Sequence, residues 1–212
     1  MVRALSRRSD VEVLRLGATL ELILPKKSYL LAAVLLATPA LALAADPPPP
    51  VVRSVAAPSA PSDTYLALRE VAFSTRSEDV EVKVTAGQEQ AYGVIVEFRR
   101  DAAMVTVVGF ASGDSSVYLS TGGGLIGGRR EPLVAAAAQS LVARAQLQLA
   151  DLPRVKTYPT PDPGDVTVYV LTTAGLRGEE VARSQIERAD QPLNLLYADA
   201  QKVVSEFRTA RP

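Results

Sequence analysis

Residues 92–120 read YGVIVEFRRDAAMVTVVGFASGDSSVYLS, and they set the architecture. Three apolar runs, 92–98, 104–110 and 116–120, are built from β-branched and aromatic residues, the side chains that suit a pleated surface. The links between them are short: Arg100-Asp101-Ala102, then Ser112-Gly113-Asp114. Parallel strands need a crossover of a dozen residues or more, so connections this short leave antiparallel neighbours.

The pattern extends from this meander in both directions. Upstream, Asp63 and Thr64 are placed to cap a short helix over 65–73. VEVKV at 80–84 alternates like a strand, but its charges make it a weak one. Downstream, a glycine block over 122–128 leads to a helix with Pro132 at its first position and Glu131 at its positive end. Val134, Ala138, Leu141, Val142, Ala145, Leu149 and Leu152 recur on one face, and Pro153 ends the run. YPTPDPGD (158–165) is a rigid loop, and VTVYVLT (166–172) is a near-continuous apolar strand expected in the centre of the sheet. The chain turns at 173–175, and a polar strand near 180–187 is expected at an edge. A last helix from Pro192 buries Leu193, Leu196, Tyr197, Ala200, Val204 and Phe207, with Arg208 and Arg211 at its negative end. The expected fold is α+β, an antiparallel sheet of about five strands with the long helices on one face. This element order resembles that of profilin-like and roadblock-like modules, a likeness that implies a sandwich and no activity.

The first 63 residues have a different character. Lys26-Lys27 precede an apolar run that closes on Ala42-x-Ala44, the signature of a secretory signal peptide with cleavage between Ala44 and Ala45. An uncleaved anchor helix is the alternative, but the run is short for a span and Pro39 interrupts it. Residues 1–25 fit no part of a signal and suggest a start nearer Leu24. Residues 45–63 carry six prolines among small residues and read as a disordered linker. The division is therefore 1–44 extension and signal, 45–63 linker, 64–212 folded domain, in a periplasmic or secreted protein.

Composition excludes several function classes. The 212 residues include no Cys, His or Trp. A zinc–thiolate site, a disulfide framework, a thiol nucleophile and a histidine base are therefore absent. No cofactor is implied. From Ala45 onward 17 Lys and Arg stand against 20 Asp and Glu. That balance lacks the basic footprint of a nucleic-acid binder. It also lacks the basic amphipathic helix of a membrane-surface protein, so no membrane association is expected once the signal is removed.

The glycine block invites a functional reading. GDSSVYLSTGGGLIGG (113–128), a helix, and VYVLTTAGLR (168–177) together resemble a family of uncharacterised bacterial proteins over most of residues 64–210. The resemblance implies one domain and supplies no catalytic residue. Gly122, Gly124 and Gly127 match the spacing of a dinucleotide fingerprint, yet no parallel strand–helix–strand unit surrounds them. Gly123 and Gly128 are followed by Arg129-Arg130, which fails the phosphate-loop pattern. Two readings stay open. The block is a strand-to-helix crossover that exploits glycine's freedom. Or Ser120, Thr121, Gly122, Gly123, Gly124, Gly127, Gly128, Arg129 and Arg130 form an anion or small-ligand hollow. Ser120 and Thr121 have no histidine to activate them, and Asp162 and Asp165 flank a Pro-Gly turn rather than a calcium loop. The expectation is a non-catalytic module that binds a protein partner or a second copy of itself, with ligand binding at 122–130 as the alternative.

Overall fold

The computed structural model describes residues 60–83, 85, 87–188 and 193–210. The expected signal, its cleavage at Ala44 and Ala45, and most of the linker lie outside these residues, as do Val84, Pro192 and Arg211.

The apolar runs form the strands expected of them, β1 (Ala91–Arg100), β2 (Ala103–Phe110) and β3 (Ser115–Leu119), joined as an antiparallel meander. Three further strands complete the sheet: β4 (Gly124–Ile126), β5 (Asp165–Thr172) and β6 (Gly175–Ala182), in the order β4-β3-β2-β1-β5-β6. All neighbours are antiparallel, and Val96 of β1 stands opposite Val107 on one side and Val168 on the other.

The antiparallel sheet of about five strands with flanking helices is present with six, the sixth being β4, folded out of the glycine block itself. The apolar β5 is flanked on both sides but lies next to the edge, with β1 and β2 at the centre. The polar return strand β6 is an edge, as its charge requires, but it begins at Gly175 instead of 180. Residues 183–186, expected as strand, form the one-turn helix α3 (Arg183–Ile186). Residues 80–83, the described part of VEVKV, form no strand: residues 77–81 are a turn in which Glu81 takes a φ of 57°. Val80 and Val82 nevertheless pack against the α1 side of the sheet, held there by the turn instead of by strand pairing.

The two long helices, α2 (Pro132–Leu147) and α4 (Asn194–Ala210), cover one face of the sheet. Val94, Val96, Val105, Val107 and Val168 meet Leu141, Ala145, Leu196 and Phe207 there. Tyr197, expected in the buried stripe, is half-buried, while Val203 is buried. Alternation sends Ile95, Val108, Tyr169 and Leu171 to the opposite face, where the first helix, α1 (Asp63–Ser74), supplies Tyr65, Ala72 and Phe73. The sheet is thus buried on both sides, which is why β1, β2 and β5 read as nearly unbroken apolar runs. The cap of α1 is Ser62, whose Oγ accepts from the Tyr65 N–H at 3.2 Å, and not Asp63 or Thr64. Among the described residues, no helix is long and apolar enough to cross a membrane.

Candidate functional site

The glycine block resolves into three pieces, each with its own geometric demand. The first is the β3–β4 turn. Gly122 and Gly123 take φ of 96° and 82°, a region that L side chains rarely adopt. The turn closes through Leu119 N–H to Gly123 O at 3.2 Å and Gly122 N–H to Leu119 O at 2.9 Å. Ser120, beside it, is engaged at three atoms. Its Oγ accepts from the Met104 N–H at 2.8 Å, its N–H donates to Met104 O at 2.9 Å, and its carbonyl accepts from Ser62 N–H at 2.8 Å. Thr121 is exposed.

The second piece is the strand. A Cβ on Gly124 would stand 2.4 Å from the Val117 carbonyl oxygen, so only glycine lets β4 approach β3 this closely. The third is a one-turn 3-10 helix, Gly128–Arg130, entered through Gly127 at φ 88°. Gly128 is buried where β3, α2 and α4 meet, and a Cβ there would lie 2.7 Å from Val134 and 3.0 Å from Phe207. Arg129 reaches away from the turn to Asp114 at 3.5 Å and Glu81 at 3.2 Å, while Arg130 is exposed.

Ser120, Thr121, Gly122 and Gly123 therefore sit at one end of β4, and Gly127, Gly128, Arg129 and Arg130 at the other. Three strand residues separate the groups, roughly 10 Å of chain. The structure does not bring the nine sequence-selected residues around one hollow, and Arg129 is already neutralised by two carboxylates.

Gly124 does line a cavity, of a different kind. Beneath the C-terminal half of α4 the sheet's long-helix face is left open over about 160 Å³. Its walls are Phe98, Val105, Val117, Leu119, Leu125 and Val204. The polar side chains of the lining are Arg100, Gln201 and Arg208, with no carboxylate among them. Arg100 and Arg208 are exposed, and neither makes an ion pair among the described residues. Apolar walls with a few convergent polar groups are the usual make-up of a binding pocket. Sequence reasoning missed this site because its lining comes from four strands and α4, and only their packing joins them.

A larger and more open cleft, about 490 Å³, lies between α2 and the segment before β1. Its polar groups are largely committed. Gln146 Oε1 accepts from Ala91 N–H at 2.7 Å, and Gln90 Oε1 accepts from Thr85 N–H at 3.1 Å. Glu89 is clamped by Arg177 through two bonds of 2.8 Å and receives further bonds from Arg154 and Thr172 at 2.9 Å each. The Arg177 guanidinium, foremost among these partners, holds the Glu89 carboxyl down at about 2.

The most buried charge of the described residues belongs to Glu97, in the middle of β1 on the α1 face. Arg69 of α1 donates to both carboxylate oxygens at 2.7 Å, and Thr106, its cross-strand partner, donates at 2.8 Å. With the Thr106 proton committed, Tyr65 OH donates to Thr106 Oγ1 at 2.9 Å. Burial, with Glu97 adding to it, raises the Tyr65 phenol above its ordinary value. The Arg69 guanidinium lies over the rings of Phe73 and Tyr158, 4.8 and 5.3 Å from their centroids, and those rings stack at 4.1 Å. The lone acid in VIVEF was the available signal for this network. Its partners on α1 and β2 were not visible from spacing.

Asp162 and Asp165 occupy the expected turn, closed by Asp165 N–H to Asp162 O at 3.0 Å. The fold adds Glu180 from β6, with the three carboxylates within 4.8 Å of one another. Glu180 also accepts from Thr167 at 3.0 Å. Compared with protein-family models, characterised proteins and solved structures, the chain matches none of them.

Proposed function

We propose that the folded unit is an exported, non-catalytic interaction module that acts by binding. The observation that carries this reading is the contrast between its polar groups and its open surface. Of the two candidate nucleophiles beside the glycines, Ser120 has its hydroxyl oxygen accepting from the Met104 N–H, and Thr121 is exposed with no histidine in the chain to activate it. Glu97 is held in a network that closes on Arg69, Thr106 and Tyr65. The concavity beneath α4, by contrast, is apolar and bordered by two arginines without acidic partners. A rigid sheet buried on both faces presents that concavity as a preformed surface, which lowers the ordering cost of binding. Export rests on the basic, apolar and A-x-A segments ahead of Ala45, with the proline-rich residues 45–59 as a tether.

A thermal-shift screen of the processed chain against nucleotides, inorganic anions and small organic acids tests this reading. A true ligand raises the melting temperature with the logarithm of its concentration, through about 2.7 kcal/mol of stabilisation at a hundred times its Kd. Multiple-turnover hydrolysis of ester or phosphoester substrates, abolished by Ser120→Ala, would show an enzyme instead.

A further inference from the structure

The cavity beneath α4 has a shape and a charge that select a ligand class. Its walls come from the first four strands and the last helix: Phe98, Val105, Val117, Leu119 and Leu125 from the sheet, and Val204 from α4. All are aliphatic or aromatic, so the floor offers no hydrogen-bond partner to water from its side chains. The volume, about 160 Å³, is that of one compact apolar group. Apolar cavities of about 150 Å³ stay dry and accept a benzene-sized ligand. A nucleotide or a sugar exceeds this space and would leave its polar groups unpaired in it.

The border of the cavity carries the opposite chemistry. Arg100, the last residue of β1, and Arg208, in the last turn of α4, both line it. Both are exposed and make no ion pair among the described residues. Gln201 of α4 adds an amide to the same border. Arg208 also lies at the negative end of α4, where a cation is favourable, so its position is supported independently of any ligand. Two guanidinium groups above an apolar floor match one carboxylate attached to one apolar tail. Guanidinium forks bind carboxylates through paired, charge-assisted hydrogen bonds.

We infer that this cavity binds a small monocarboxylic acid, with its apolar tail among Phe98, Val117 and Leu125 and its carboxylate between Arg100 and Arg208. This rests on the binding reading above and names the ligand class of that site. It also gives Gly124 a part in function. The glycine brings β4 close against β3 and so sets Leu125 as one wall of the cavity.

Hexanoate and the uncharged hexanol, titrated calorimetrically into the whole chain, test the inference. Hexanoate should bind saturably, and hexanol more weakly at the same site. Arg100→Gln/Arg208→Gln, two exposed changes that leave the core intact, should weaken hexanoate by on the order of tenfold, the equivalent of one charge-assisted hydrogen bond. The same variant should leave hexanol within about twofold, since its hydroxyl forms no ion pair. Leu125→Trp, which fills the cavity at a half-buried wall position, should abolish both. Loss of hexanoate and hexanol binding in the wild-type chain up to millimolar concentration would overturn the inference. So would hexanoate binding that survives both variants. Either result, alongside a ligand of another class found in the thermal-shift screen, would remove the carboxylate site and leave the binding module standing.

Discussion

Replacing Arg69 by Met should cost more stability than any surface change, although Arg69 lies on the outer helix α1. Glu97 is wholly buried, and its two oxygens receive Arg69 at 2.7 Å each and Thr106 at 2.8 Å. Without Arg69, the oxygen Oε2 has no donor and the carboxylate keeps one neutral hydrogen bond in a dry site. Removing one partner of a buried ion pair costs about 3–5 kcal/mol. The stacking of the guanidinium on Phe73 and Tyr158 contributes about 0.5–1 kcal/mol to that loss. A domain of this size has about 5–15 kcal/mol in total, so the single variant approaches the limit of folding. Urea unfolding followed by circular dichroism reads the cost directly, because the chain has seven Tyr and no Trp for fluorescence. The double variant Arg69→Met/Glu97→Leu removes both charges and leaves Thr106 and Tyr65 bonded to each other. It should lie within about 2 kcal/mol of wild type, since an apolar pair of similar volume replaces a buried ion pair at little net cost. A cost below about 1 kcal/mol for Arg69→Met, the value of an exposed pair, would refute the argument. A double variant no more stable than the single one would refute it too.

Leu141→Ala, at a fully buried position of α2, should lose about 2–5 kcal/mol by the same unfolding assay. Gly128→Ala should destabilise by about 1–3 kcal/mol through overpacking against Val134 and Phe207, while Arg130→Ala should stay within about 0.5 kcal/mol of wild type. Glu89 has its folded pKa depressed to about 2, so its clamp with Arg177 and Arg154 contributes fully above the unfolded value of 4.5. That contribution fades as pH falls from 4.5 toward 2, and Glu89→Gln should flatten this part of the acid-unfolding profile. Mass spectrometry of the protein from its native host should give an N-terminus at Ala45, and uncleaved protein in the cytosol would reject the export proposal.

How much of this was legible in the sequence depended on how local each signal was. Strands β1, β2, β3 and β5 and the α2 face were legible because an apolar run or a repeating stripe belongs to one segment. Strand β4 was not, because GLI is three residues long and its glycines read as loop. What makes it a strand is the tight approach of Gly124 to Val117, a tertiary fact. The second face of the sheet was hidden for a related reason. Strands buried on both sides do not alternate, so the pattern could not say that α1 lies opposite the long helices. The glycine block was visible at once as unusual. Its separation into a turn, a strand and a 3-10 helix follows from pairing with β3, which spacing alone does not contain.

The carboxylate site stands or falls on whether the cavity beneath α4 receives its ligand, and methyl-selective NMR of the whole chain with hexanoate measures that most directly. The account predicts saturable shifts of the Val105, Val117, Leu119, Leu125 and Val204 methyls, with Val108 and Leu171 on the α1 face unmoved. Shifts confined to the β3–β4 turn or to the cleft beside α2, or no shifts at millimolar hexanoate, would contradict it.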